Sequence, residues 1–131
     1  MILTIGLIKA DLVTAGQAIE YFEATSNKNI KNIAAYHLQQ ATEKLIKYQI
    51  YRATANPNNT KLYTHNIEKL IVYADSLDTG IDIPVYVRKR SLEITEWEAG
   101  SRYDIGFTAR IDTLKRTYSE IENWIERMKT L

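Results

Sequence analysis

Cysteine is absent from this chain of 131 residues. Disulfide frameworks and thiolate metal sites are therefore excluded, and a reducing compartment is the natural reading. Histidine is scarce: His37 and His65 are the only two. Without cysteine they are too few for a zinc site, so no metal is expected. Long apolar runs are missing, since none approaches the roughly 20 residues of a membrane span. The opening MILTIGLIKADL is briefly apolar, but it has no basic leader or cleavage signal, and Lys9 and Asp11 interrupt it. This reading expects no signal peptide and a cytoplasmic location. Charge of one sign is missing too: at a net +1, no global field steers the chain to nucleic acid or to acidic membranes. There is no glycine-rich phosphate loop, no Glu-x-x-His and no nucleophile elbow, which argues against P-loop, di-iron and hydrolase chemistry. Internal repeats and low-complexity segments are also lacking.

What is present is helical periodicity. The length fits one domain spanning residues 1–131, large enough to bury a core without staples. Residues 2 to 26 place Ile5, Ile8, Leu12, Ala15, Ile19 and Phe22 on one stripe, with spacings alternating between three and four. A second helix is predicted from a cap at Asn29 to about Ala55, with its stripe on Ile30, Ala34, Ala41, Leu45 and Tyr48. Asn56-Pro57-Asn58-Asn59 stops it. A third helix is expected from a cap at Thr64 to near Asp78-Thr79-Gly80, with Gly80 suited to a left-handed turn. A fourth should run from Pro84 to about Ala99 and break at Gly100, and a fifth from about Thr108 to Met128. The only strand-like stretch, IDIPVYV, is split by Pro84. The pattern predicts an all-α fold, an antiparallel up-and-down bundle of four to five helices.

Two polar loci stand out, with a third beside them. His37 interrupts the apolar stripe of the second helix, and Gln40 and Lys44 follow along the same edge. The second locus is Trp97-Glu98-Ala99-Gly100-Ser101-Arg102-Tyr103-Asp104, where the fourth helix gives out. Thr64-His65 opens the third helix, and antiparallel packing would set His65 at the far end of the bundle from His37. These residue types suit a nucleotide or RNA. Arg presents a planar fork to phosphate, Tyr and Trp offer stacking faces, and His bonds phosphate oxygens or moves protons. Each has a structural alternative: a core hydrogen bond for His37, capping or pairing with Glu98 for Arg102, and a solvated face for Arg88-Lys89-Arg90. The expected binding residues are His37, Gln40, Lys44, Arg102 and Tyr103, with His65 and Trp97 as additions. No catalytic residue is assigned.

Three segments resemble the HEPN family, the higher eukaryotes and prokaryotes nucleotide-binding domains. Ala35-Tyr36-His37-Leu38-Gln39-Gln40-Ala41-Thr42-Glu43-Lys44-Leu45-Ile46-Lys47 looks like the long-helix signature of that family. Tyr63-Thr64-His65-Asn66-Ile67-Glu68-Lys69-Leu70 is similar to its Thr-His-(Asn/Asp)-Leu step. Ser101-Arg102-Tyr103-Asp104 resembles its (Ser/Ala)-Arg-Tyr-Pro element, with Asp104 where Pro is usual. The resemblance implies a helical bundle that pairs into homodimers and, in many bacterial relatives, acts with a minimal nucleotidyltransferase as a toxin–antitoxin pair. Some members are metal-independent ribonucleases that carry Arg and His with four to six residues between them. This chain departs from that motif. Asn58, Asn59 and Thr60 stand where His65 would need Arg, and Ile30, Lys31 and Asn32 where His37 would.

The leading expectation is thus a nucleotide- or partner-binding HEPN module without the ribonuclease motif and with no cofactor beyond a possible nucleotide ligand. One alternative is an RNase with an unconventional site around His37 or His65. The other is a structural interaction or dimerisation module, docking through the first and last helices or the Arg88–Trp97 face. On the leading reading, His37 is an inward polar residue lining a pocket or dimer cleft, not half of a nuclease pair.

Overall fold

A computed structural model describes residues 3–103 and 106–129, with the side chains of Arg102, Tyr103 and Lys129 outside the description. The described residues are helical and contain no strand. They form α1 (Ile5–Thr25), α2 (Lys28–Ala53), α3 (Asn59–Leu62), α4 (Ile67–Ser76), α5 (Val85–Lys89), α6 (Ser91–Tyr103) and α7 (Ile111–Lys129). The expected five helices are therefore joined by one extra turn, α3, and the expected fourth is divided into α5 and α6.

Side-chain caps set most of the starts. Thr4 Oγ1 accepts the Leu7 N–H at 3.1 Å and opens α1. Asn27, not Asn29, caps α2, taking the N–H groups of Asn29 and Ile30 at 3.0 and 3.3 Å. Ser26 reaches that cap from a left-handed conformation, its own N–H closing α1 on the Phe22 carbonyl. Asn66, not Thr64, caps α4, its Oδ1 accepting the Lys69 N–H at 3.0 Å. Thr64 instead takes the Asn66 N–H at 3.0 Å, a local turn bond that shapes the approach to α4. Asn is the stronger cap and stands directly before the first apolar residue, so it wins the position. The fourth helix divides at Arg90, whose N–H is shared between the Tyr86 and Val87 carbonyls. Gly100 does not break α6, which continues to Tyr103. A β-carbon there would lie 2.7 Å from Phe107 Cδ2, so this glycine serves close packing. Gly80 does adopt the expected positive φ, 74°.

Packing is organised by α2. It touches α1, α4, α6 and α7. Its buried residues include Ala34, Ala35, Leu38, Gln39, Ala41, Thr42, Leu45, Ile46 and Ile50, which spread around the helix. The single apolar stripe read from the sequence is one of several buried faces: α2 is the central rod of the bundle. α1 runs antiparallel to it, since Phe22 lies against Lys31 while Asp11 reaches Lys44. α7 runs antiparallel to α1, with Glu23 paired to Lys115 and Gly16 under the Tyr118 ring. The core closes on Ile8, Leu45, Ile94, Leu114, Ile121 and Trp124, all fully buried. Trp124 also donates its indole N–H to the Asp82 carbonyl at 2.9 Å, tying α7 to the segment before α5.

Candidate functional site

Two acidic side chains enter the bundle and each gathers a histidine and a lysine. Asp11 lies on α1 beside Leu12 and is only 9% exposed. Its carboxylate oxygens receive His37 Nδ1 at 2.9 Å and Lys44 Nζ at 2.7 Å, both from α2. Burial pushes the Asp11 carboxyl upward, but the bonds from His37 and Lys44, together with their charge, outweigh it and hold the group below its usual range. His37 also stacks on Tyr36, with ring centres 5.2 Å apart.

The second centre is Glu43, one position before Lys44 and 5% exposed. It accepts from His65 Nδ1 at 2.8 Å, Lys47 Nζ at 3.0 Å and Gln39 Nε2 at 3.1 Å. Gln39 also donates to the His65 carbonyl at 3.1 Å and accepts from Gln40 at 2.8 Å. This network pins the segment that leads into α4 against the middle of α2. His65 is thus not at the far end from His37; its carbonyl bonds a side chain two residues along from it. Because Nδ1 faces a carboxylate, it carries the proton, and Nε2 of the His65 ring is left for a ligand.

Between these elements lies a cavity of about 510 Å³. Gln40, Glu43, Lys44, Lys47 and Tyr51 of α2 form one wall; Asn59, Leu62, Tyr63, Thr64 and His65 form the other, and Leu3 adds to the lining. The volume falls within the roughly 300–1,000 Å³ of small-molecule sites. Lys44 and Lys47 each spend a bond on a buried carboxylate, and an ammonium has three donors, so each retains donors for a phosphate. Tyr51 and Tyr63 offer ring faces, and the amide and hydroxyl groups can meet base or sugar edges.

Of the expected residues, Gln40, Lys44 and His65 come together in this cleft. His37 does not line it but shares Asp11 with Lys44, so it bears on where that ammonium sits. Trp97 is 2% exposed and is part of the core, because α6 turns its apolar face inward against α2 and α4. Its ring is not offered as a stacking face. Arg102 and Tyr103 stand on the last turn of α6, and their side chains lie outside the described residues, as does Asp104. Sequence reasoning passed over Asp11, Glu43, Lys47, Tyr51 and Tyr63. Glu43 and Lys47 carried a readable signal, an acid–base pair four apart on a helix.

An all-helical bundle with a lysine-, histidine- and tyrosine-lined cleft along its central helix is the class that fold and site define. The family model described as HEPN domain matches residues 10–131, nearly the whole chain. This chain belongs to the HEPN family. No curated protein and no solved structure matches it. The family ties it to nucleotide- or RNA-related function. No described helix is long and apolar enough to cross a membrane.

Proposed function

We propose that this chain is a nucleotide-binding HEPN module that works as a homodimer beside a minimal nucleotidyltransferase, in the manner of a toxin–antitoxin system, and that it does not cleave RNA through the family's Arg-and-His motif. The observation that carries the nucleotide reading is the cleft of about 510 Å³, whose lining combines Lys44, Lys47 and His65 with Tyr51 and Tyr63. Phosphate meets the lysines, the His65 Nε2 accepts from a sugar hydroxyl, and a base stacks on tyrosine. The absence of Arg at every required position ahead of His37 and His65 supports the non-nucleolytic part. Thermal-shift titration with ATP and GTP tests it. Ligand at a hundredfold excess over its Kd should add about 2.7 kcal/mol of stability. Lys47→Ala should weaken the effect while circular dichroism stays unchanged, and no shift of the wild type with either nucleotide sinks small-nucleotide binding.

One observation favours a second reading. The His65 ring is oriented by a buried carboxylate and stands beside Lys47, an arrangement able to move a proton near a phosphodiester. On that reading the protein is a metal-independent RNase with an unconventional site. Incubation with mixed RNA beside a His65→Ala control decides it, and equal background from both ends the idea.

A further inference from the structure

Tyr63 is 92% exposed, the most exposed of the large apolar and aromatic side chains among the described residues. It is held there by design of the backbone. Leu62, just before it, is buried at 3% and anchors the turn in the core. Tyr63 has φ −80° and ψ 69°, and the Thr64 N–H closes on the Leu62 carbonyl at 2.8 Å. This is an inverse γ-turn, an unstrained local fold, and it projects the ring into water.

Tyr63 also lines a second cavity, of about 460 Å³. Lys61, Glu68, Lys69 and Tyr73 contribute to its walls, and Tyr63 and Thr64 line both cavities. Lys61 Nζ sits 5.5 Å from the centre of the Tyr73 ring, so a cation and an aromatic face are already paired there. The two cavities repeat one chemistry and meet at Tyr63 and Thr64. Together they hold Lys44, Lys47, Lys61 and Lys69 against Glu43 and Glu68, in a chain whose total charge is only +1. Lysines outnumber glutamates four to two along this lining.

We infer that the two cavities are halves of one groove that holds two successive nucleotides of a single RNA strand, with the Tyr63 ring stacking between their bases. The inference rests on the nucleotide reading above and extends it from a mononucleotide to a strand. Lysines on both sides meet successive phosphates, and a base placed in either cavity finds a tyrosine face. A duplex does not fit this scheme, because its base faces are stacked on one another and closed to a side chain.

Isothermal titration of the full chain with AMP and with the oligonucleotide rA4 tests the idea. The wild type should bind rA4 more tightly than AMP. Tyr63→Ala removes a side chain outside the core, so the fold should persist by circular dichroism, and rA4 affinity should fall about 5- to 150-fold. Tyr63→Phe should restore it. Lys69→Ala, in the second cavity alone, should weaken rA4 binding. If AMP binds but rA4 binds no more tightly, or if Tyr63→Ala leaves rA4 affinity unchanged, the two-nucleotide groove is overturned while the nucleotide reading stands. If neither AMP nor rA4 binds, both are overturned.

Discussion

Replacing Asp11 with asparagine removes the charge that joins α1 to α2. The magnitude follows from the surroundings of the carboxylate. It is 9% exposed and takes two bonds from basic groups, at 2.9 and 2.7 Å. Breaking a fully buried ion pair by deleting one partner costs about 3–5 kcal/mol, because the remaining charge is stranded. Here the partners are not stranded: the His37 and Lys44 side chains keep 31% and 21% of their surface in water. Asparagine also retains an oxygen to accept from one of them. The scale is therefore that of one charge-assisted hydrogen bond, and Asp11→Asn should lose about 2 kcal/mol at neutral pH. Urea denaturation reads this as a lower midpoint with unchanged slope. The pH dependence supplies a second signature. In the fold the Asp11 carboxyl is held below its ordinary value of 3.8, so the aspartate's advantage is fully present above 3.8. It is lost as pH falls from there through the lower folded-state value, where the native carboxyl takes up a proton. Wild type and variant should thus converge in acid. A neutral-pH difference under about 0.5 kcal/mol, the range of ordinary surface changes, would refute the reasoning. So would a difference that persists undiminished in acid.

Two further outcomes follow from the packing. Trp124→Phe shrinks a fully buried ring and deletes the bond to the Asp82 carbonyl. It should cost about 2–3 kcal/mol in urea melts, and a near-native midpoint would contradict the core described above. Arg88→Ala removes a two-pronged bridge to Asp75 at 2.8 and 2.9 Å, but both side chains are well exposed. The expected loss is under about 1 kcal/mol and should shrink in high salt; a loss of several times that would show the bridge to be structural.

How much of this was legible depended on whether a signal lay along one helix or between two. The α7 stripe was open to reading: Leu114, Ile121, Ile125 and Met128 are buried, and Ile111 and Tyr118 pack against them. The central place of α2 was not, because Ala35, Leu38, Ile46 and Ile50 bury other faces and blur the three-and-four rhythm. The same divide runs through the site. Gln40 and Lys44 could be found from their spacing on one helix. Asp11 could not be paired with His37, which is 26 residues away, because nothing in a single sequence marks which α1 residue faces it. Glu43 is the kind of side chain that composition places in water. It is buried because His65, Lys47 and Gln39 jointly satisfy it, a condition met only once the segment leading into α4 has docked. Trp97 erred in the other direction. Its large ring reads equally as a stacking platform or as core filler, and neighbouring elements decided for the core.

The cleft has two walls of unequal firmness. One is the middle of α2, hemmed in by four other helices, whose amides can exchange with solvent only when the whole bundle opens. The other is α3, four residues between an Asn-Pro turn and the α4 cap, with Leu62 its single buried side chain. That wall is held by fewer contacts, chiefly Leu62 and the bonds of His65 to α2, so it should open below the global free energy. On the proposed reading, a nucleotide would meet a fixed bed on α2 and a less firmly held wall opposite. Capture would register as slowed hydrogen exchange across residues 59–65, with the α2 amides unchanged.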